Sequence, residues 1–160
     1  AFADISGAHF NPFVSLAMFL RKKINSDLLK YYIPAQISGC LFGVMLANVF
    51  FEHALLELST KNRDGLHIFF SEIVATFGLI FIIFATLKDG KTIVAISVAT
   101  YISAGYWFTS STSFANPAVS IARTFTDSFT GINYLNTPTY ILAEFIGLIL
   151  AAYILKIIYK

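Results

Sequence analysis

The sequence predicts an all-α membrane protein that is built as an inverted repeat, with four spanning helices and two re-entrant half-helices. Of its 160 residues, 57% are hydrophobic and 12% are charged, whereas a soluble domain carries about 25% charged residues. Four apolar runs have the length of about 17 to 25 residues that crosses a bilayer. Two shorter runs each begin with Asn-Pro, at Asn11 and at Asn116. We therefore treat residues 1–160 as a single transmembrane domain.

The first Asn-Pro opens a run that is too short to span. Asn11 suits an N-cap, and Pro12 suits the first helical turn, where the N–H that it lacks would have no partner. The apolar residues reach only to Leu20, less than half of the about 20 residues that a spanning helix needs. Arg21 to Lys23 then end the run abruptly. A loop that turns into a half-helix is predicted here, and the same pattern predicts another at Asn116.

Three predicted spans lie between the two Asn-Pro loops, at residues 28–51, 66–87 and 92–108. Small residues such as Gly39 and Gly43 give the first span a face for close helix packing. The third span is rich in Ala, Ser and Gly, which predicts a central place in the bundle. An odd number of crossings puts the two loops on opposite faces of the membrane, so the half-helices can meet N-terminus to N-terminus at the midplane.

The last predicted span, residues 138–158, repeats a detail of the first. Gln36 with Gly39 in the first span matches Glu144 with Gly147 in the last. Each pair follows a half-helix by a similar distance, which supports a repeated unit.

This repeat divides the chain unequally. Residues 1–51 correspond to the remainder of a first repeat, and residues 66–160 correspond to a complete second repeat. By symmetry we expect two further spans before Ala1, and six spans in the complete protein.

The distribution of Lys and Arg predicts the orientation, because cytoplasmic loops carry an excess of both. With the first Asn-Pro loop on the cytoplasmic side, eight of the 11 basic residues lie inside: Arg21, Lys22, Lys23, Lys30, Lys88, Lys91, Lys156 and Lys160. Lys61 and Arg63 lie outside, and Arg123 lies in the outer half-helix. Arg21 to Lys23 and the C-terminus are therefore predicted to be cytoplasmic.

Two stretches resemble the paired Asn-Pro-Ala signatures of the major intrinsic proteins, the aquaporins and aquaglyceroporins: Ser6-Gly7-Ala8-His9-Phe10-Asn11-Pro12 and Asn116-Pro117-Ala118. The resemblance covers nearly the whole chain, and two motifs separated by three spans are far more specific than one Asn-Pro. It implies a homotetramer in the lipid bilayer, with one pore per subunit and passive transport. It implies no catalytic residue, metal or cofactor.

The resemblance also implies where a solute passes. The pore centre is formed by the two signatures, with Asn11, Pro12, Phe13, Asn116, Pro117 and Ala118. Exposed carbonyl groups before them form two ladders, Gly7-Ala8-His9 and Ser113-Phe114-Ala115. A solute that loses water needs such replacement hydrogen bonds, because an unpaired polar group in an apolar setting costs roughly 2–7 kcal/mol. The N-terminus of each half-helix adds about half a positive charge, which opposes cations and protons.

The outer selectivity filter departs from the family pattern. An Arg usually stands three residues after the second Asn, where this chain has Val119, so a wider and more apolar constriction is expected. Ser113 is a second filter position, and a third falls at Gly105 or Tyr106. This combination favours water with small uncharged solutes such as glycerol-like polyols, urea and arsenous acid. The stretch from Tyr106 to Asn116 is similar to a bacterial branch with this Val and with proposed metalloid transport, which suggests a bacterial inner membrane.

Two further residues leave alternatives open. Arg123 lies one turn beyond the filter position, with Asp127 four residues later. It is either a displaced filter residue or one partner of a local ion pair, and we expect the ion pair. Phe13 stands where the family has Ala, and either lengthens the gap between the half-helices or fills packing space.

Each polar group inside the membrane has either a structural or a functional role. Glu72 and Glu144 lie within spans, where a charge is costly and usually functional. A proton relay would suit a transporter, whereas the resemblance has Glu72 accepting hydrogen bonds from loop N–H groups and holding the second half-helix. Glu144 is expected to pair as its repeat mate Gln36 does. His9 either lines the inner vestibule or braces its loop.

The same sequence also bears on other functional classes. The net charge of +2 is too small to predict a nucleic-acid partner. No nucleophile–base pair, phosphate loop or metal-ligand spacing is visible. A secondary transporter also uses inverted repeats and broken helices, and ion coupling would identify it. A protein that lacked the two expected spans altogether would be a non-conducting product.

Overall fold

The structure is a computed structural model that describes residues 1–159, so Lys160, one of the predicted inner charges, lies outside it. The described residues form seven α-helices. In chain order they are α1 (Ala3–Ser6), α2 (Pro12–Leu20), α3 (Ser26–Phe50), α4 (Leu66–Thr86), α5 (Lys91–Phe108), α6 (Pro117–Ala122) and α7 (Thr137–Ile158). Short 3-10 turns follow α4 and α6. The prediction of an all-α protein is confirmed.

The long helices lie where the apolar runs predict them, with bounds that differ by no more than about two residues, the usual uncertainty of helix ends. Three of them are long and apolar enough to cross a membrane: α3, α4 with its 3-10 extension, and α7. α5 forms in place of the predicted third span, but its 18 residues are not among these three. By length and composition, three of the four predicted spans therefore meet the requirement.

The core lies between α4 and α7. Ala75 and Leu79 of α4 share a buried apolar cluster with Ala151 of α7. Gly147 of α7 allows the two helices to approach closely, since a Cβ added there would stand 2.6 Å from the Ile73 carbonyl oxygen. Close approach at small residues is the usual basis of helix association in membranes.

In contrast, most of α3 is exposed rather than buried against other helices of residues 1–159. In its most apolar stretch 11% of the residues are buried, against 33% in each of the corresponding stretches of α4 and α7. A Cβ added at Gly39 or Gly43 would meet nothing within 4 Å. The helix packs on α2 and α6, and an open cavity of about 670 Å³ runs along it. The small-residue face is thus present but unpacked within residues 1–159.

α5 is not central in the described bundle. It packs mainly against α4, Gly105 is its only buried residue, and Trp107 is 91% exposed. Within residues 1–159 the predicted central place is not observed, because small side chains allow close packing but do not supply the second neighbour that would bury them.

The two ends of the molecule, which we name inner and outer after the predicted orientation, are tied by different contacts. At the inner end, Arg21 donates a hydrogen bond to the Tyr159 carbonyl oxygen at 3.4 Å, and Lys91 forms an ion pair with α1. At the outer end, the loop of residues 51–65 bonds to the segment of residues 123–136. We call this loop the outer loop.

Candidate functional site

Each half-helix begins at an Asn that caps it. Asn11 Oδ1 accepts hydrogen bonds from the N–H groups of Phe13 and Val14, at 2.9 and 3.4 Å. Asn116 Oδ1 accepts one from the Ala118 N–H at 3.1 Å. Both helices have Pro in the first turn, so the predicted N-caps are confirmed. α2 has nine residues and α6 has six, too few for either to span.

The two Asn side chains tie the half-helices to each other. Asn11 Nδ2 donates to the Ala115 carbonyl oxygen at 2.7 Å, and Asn116 Nδ2 donates to the Phe10 carbonyl oxygen at 2.9 Å. Each Asn thus binds the residue directly before the other. Because an amide nitrogen carries two N–H groups, each Asn retains one donor. The two N-termini therefore meet, as the inverted repeat predicts.

The backbone before each Asn is left-handed at the same three positions, four, three and one residues before it. In the first loop these are Gly7, Ala8 and Phe10, and in the second Thr112, Ser113 and Ala115, with φ between 47° and 75°. A residue with a side chain in this region costs about 1–3 kcal/mol and persists only where its surroundings hold it, often at functional sites. Gly7 alone is a glycine, so the sequence carries a signal for this conformation at one of the six positions. The loops are copies in backbone geometry more than in sequence.

Glu72 of α4 holds the second loop through its backbone. Its two carboxylate oxygens accept hydrogen bonds from the Phe114 and Ala115 N–H groups at 2.9 and 2.8 Å, and the side chain is fully buried. Tyr140 of α7 packs on Phe114, with ring centroids 5.3 Å apart. Both carboxylate oxygens of Glu72 are occupied by main-chain donors, which is the geometry of a structural acceptor rather than of a proton relay.

Glu144 of α7 adds a second carboxylate to the same loop. Its Oε1 accepts hydrogen bonds from the Asn116 N–H at 3.0 Å and from the Ser120 hydroxyl at 2.7 Å. Its Oε2 is buried without a hydrogen-bond partner in the described part of the chain. Glu144 thus binds the N-cap residue of α6 and the residue four positions later.

The first loop has a different support. Gln36 of α3 donates to the Ser15 hydroxyl oxygen at 2.9 Å, and Ser15 in turn lies 3.0 Å from His9 Nδ1. The His9 ring packs edge-on against the Tyr32 ring, with the ring centroids 5.6 Å apart. His9 also lines the cavity along α3, so the two alternatives for this residue, bracing the loop and lining the vestibule, are compatible. Ser15 and Ser120 are each four residues after their Asn.

The structure brings together only part of the predicted filter. Gly105 lies against Ser113, because a Cβ added to Gly105 would stand 2.5 Å from the Ser113 Oγ. Tyr106, the alternative to Gly105, is 56% exposed. Val119 lines the cavity along α3, which neither Gly105 nor Ser113 lines. The ring of Phe13 lies 5.9 Å from that of Phe145 on α7, in keeping with the packing alternative for this residue.

The predicted ion pair between Arg123 and Asp127 does not form. α6 ends at Ala122, and a 3-10 turn followed by extended backbone at Thr126 replaces the helical spacing that the pair requires. Asp127 instead accepts hydrogen bonds from Thr60, whose N–H is the main cause of the lowered pKa of the Asp127 carboxyl. Arg123 lines the cavity along α3 instead.

Sequence reasoning missed the contribution of the outer loop. Ser59 and Thr60 bond to the segment that follows α6, and Arg63 donates to two of its carbonyl groups. These contacts join residues more than sixty positions apart, so no local spacing could reveal them. The mixed polarity of the loop was the only sign that it does more than connect two helices.

Comparisons with known proteins identify a family and several relatives that the chain matches. A family model described as Major intrinsic protein matches residues 1–106, which include the first signature but not the second. The chain is 41% identical over 152 residues to the aquaglyceroporin AqpS of Rhizobium meliloti (strain 1021), covering 95% of this chain and 65% of that protein. It is 28% identical over 159 residues to aquaporin-4 of Rattus norvegicus, covering 94% of this chain and 49% of the relative. The chain thus spans less than two thirds of the length of these relatives.

Proposed function

Because the chain belongs to the major intrinsic protein family and is part of an integral membrane protein, we propose that the whole protein is a passive channel for water and small uncharged solutes. Family membership favours a channel over an enzyme. The observation that supports the proposal most is the pair of bonds between the Asn side chains and the opposite loops. These bonds bring two positive helix ends together and leave one amide donor on each side for a solute.

We assign roles to the predicted residues on this basis. The pore centre is Asn11, Pro12, Phe13, Asn116, Pro117 and Ala118. The carbonyl ladders are Gly7, Ala8 and His9 on one side, and Ser113, Phe114 and Ala115 on the other. Glu72, Glu144 and Gln36 support the loops. The filter is formed by Gly105, Ser113 and Val119, with Tyr106 as the alternative on α5.

The solute range follows from Val119. An apolar side chain at the constriction offers neither a charge nor fixed donors, so larger neutral molecules can pass with their own hydroxyl groups bonded to carbonyl oxygens. The name of the rhizobial relative, aquaglyceroporin, supports glycerol-like polyols. Urea and arsenous acid are neutral solutes of similar size and belong to the same proposal.

We further propose a homotetramer in a bacterial inner membrane. The bacterial source of the rhizobial relative supports this location. The Lys and Arg distribution supports a cytoplasmic position for Arg21 to Lys23 and for the C-terminus. The names inner end and outer end follow from this proposed orientation.

The test is solute flux in proteoliposomes of the full-length protein, with the natural Val119 compared with Val119→Arg. Light scattering follows water, glycerol, urea and arsenous acid. A guanidinium in the constriction should lower glycerol and urea flux by at least about tenfold, the effect of about 1.4 kcal/mol on a barrier, while water flux survives. Equal flux of every solute through both proteins would show that Val119 does not line the constriction.

The same assay separates a channel from a transporter. Flux that stays proportional to the solute gradient, and that is indifferent to sodium and proton gradients, is expected. Saturation together with ion dependence would support the transporter instead.

A further inference from the structure

The outer loop is fastened to the segment behind the second half-helix. The Ser59 N–H donates to the Thr124 carbonyl oxygen at 2.9 Å, and the Thr60 N–H donates to Asp127 Oδ1 at 2.8 Å. Ser59 also packs against Gly131, where an added Cβ would stand 2.4 Å from the Ser59 Oγ. Bonds of this kind give the loop a defined position over the outer end of the molecule.

Arg63 is the most strongly held side chain of this loop. Its Nε donates to the Gly131 carbonyl oxygen at 2.8 Å, and its Nη2 donates to the Phe129 carbonyl oxygen at 2.7 Å. Its backbone N–H donates to Asn136 Oδ1 at 3.0 Å. Two of the five guanidinium donors are used in this way, so the plane of the group is set while three donors remain for other acceptors.

The guanidinium stands over the second signature loop. Its Cζ lies 6.0 Å from the centroid of the Phe114 ring, within the range of a cation–π contact. Phe114 directly follows Ser113, and its N–H is bound by Glu72. One residue therefore has its backbone held by a carboxylate of α4 and its ring covered by a cation from the outer loop.

We propose that Arg63 is a specificity-determining residue, a fixed positive charge beside the second signature loop that disfavours small cations relative to neutral solutes. The proposal rests on the channel function given above. Val119 supplies no charge on α6, whereas Arg123 directly after α6 lines the same cavity as Val119. Within residues 1–159 the guanidinium of Arg63 is bound by carbonyl oxygens and forms no ion pair, and the Glu72 carboxylate is bound by main-chain N–H groups.

The test compares methylammonium with glycerol, two small solutes of which one is a cation, in proteoliposomes of the full-length protein. A unit charge about 6 Å from a passing cation in water alters its entry about threefold. Arg63→Gln should therefore raise the methylammonium-to-glycerol flux ratio about threefold or more. Arg63→Lys keeps the charge and should leave the ratio close to that of the natural protein. Lys61→Gln is the matched control, because it removes an exposed charge from the same loop without touching Phe114.

A merely structural role for Arg63 would lower both fluxes together and leave their ratio unchanged, which would overturn the proposal. An equal rise in Lys61→Gln would overturn it as well. If Arg63→Gln does not reach the membrane, the natural protein still provides a test, since added salt partly screens a half-buried charge and should raise the methylammonium-to-glycerol flux ratio. A ratio that is indifferent to salt would count against Arg63. A natural protein that passes neither water nor glycerol would overturn the channel function and this inference with it.

Discussion

The second signature loop is held by two buried carboxylates, whereas the first loop and its half-helix are bound by a tyrosine hydroxyl and an amide of α3. Glu72 and Glu144 together accept three backbone N–H bonds and one hydroxyl bond from the second loop and its half-helix. On the side of the first loop, Tyr32 donates one bond to the Ser6 carbonyl oxygen and Gln36 donates one to Ser15 of α2, and the Gln36 Oε1 is buried without a partner within residues 1–159. The two loops nevertheless share their capping bonds and their left-handed positions.

The difference lies in the neighbouring helices. α7 has α4 beside it, with Gly147 closed against the Ile73 carbonyl group, whereas Gly39 of α3 faces open space. The two loops can therefore adopt the same backbone conformation with unequal support from their neighbouring helices, because each loop also receives a hydrogen bond from the Asn of the other. The pair of Asn bonds allows the well-supported loop to hold the other.

Glu72→Ala should show most clearly that the two loops differ in how strongly they are supported. The change leaves the Phe114 and Ala115 N–H groups buried without acceptors, at about 1–3 kcal/mol each, or roughly 2–6 kcal/mol of the free energy of unfolding. The matched change Gln36→Ala removes one hydrogen bond of about 1 kcal/mol. Thermal unfolding in detergent, followed by circular dichroism, measures both. Equal losses would show that the supports are equivalent.

Gly147→Ala and Gly39→Ala test the packing of the two repeat mates. The added methyl group at Gly147 meets backbone and should cost about 1–3 kcal/mol. At Gly39 it meets nothing, so in this chain the change should stabilise α3 by about 0.5–1 kcal/mol through helix propensity. The same thermal unfolding experiment applies. In the full-length protein, a large loss at Gly39 would indicate that another helix packs on this face, as the six-span prediction requires.

Glu144→Gln gives the second loop the residue that the first loop has. The side-chain oxygen can still accept from Asn116 and Ser120, but both bonds lose their charge, so we expect a loss of about 1 kcal/mol. Glycerol flux through the full-length protein should persist, because Glu72 still holds the loop. A complete loss of flux with a normal unfolding temperature would instead show that the charge of Glu144 acts on permeation.

Asp127 should produce the smallest effect, and one that depends on pH. Its pKa in the folded protein lies below the usual 3.8, chiefly because of the bond from the Thr60 N–H. A lowered folded pKa contributes stability above the unfolded value, and this contribution is lost as the pH falls through the folded pKa. Asp127→Asn should therefore lower the unfolding temperature slightly at about pH 7 and not at about pH 2. A difference that persists in acid would contradict this account.

Local signals were sufficient to predict the helices and the caps. Hydrophobic runs set the bounds of α3 to α7, and Asn-Pro marked the first turn of α2 and α6, because these features depend on residues within a few positions. The relation between Asn11 and Asn116 could also be predicted, since counting the spans between them indicates that their loops approach from opposite sides.

The errors and omissions concern contacts over longer distances. Arg123 and Asp127 have helical spacing in the sequence, but the α-helix ends at Ala122, before both of them, and Thr60 from the outer loop binds the Asp127 carboxylate. Arg63 reaches its acceptors across more than sixty residues, which no motif records. The left-handed backbone of Phe10 and Ala115 is imposed by the opposite Asn rather than by their own side chains.

The bonds between the two Asn side chains and the opposite loops also set an order of events during synthesis. Asn11 and its acceptor are 104 positions apart, and Asn116 and its acceptor are 106 apart. A ribosome adds about 5–20 residues per second, so the first re-entrant loop exists for roughly 5–20 s before its counterpart has been made. During that interval the carbonyl group of Phe10 lacks the bond from Asn116 that it has in the folded protein. The nascent chain must therefore carry an unfinished loop at the membrane until the second Asn arrives.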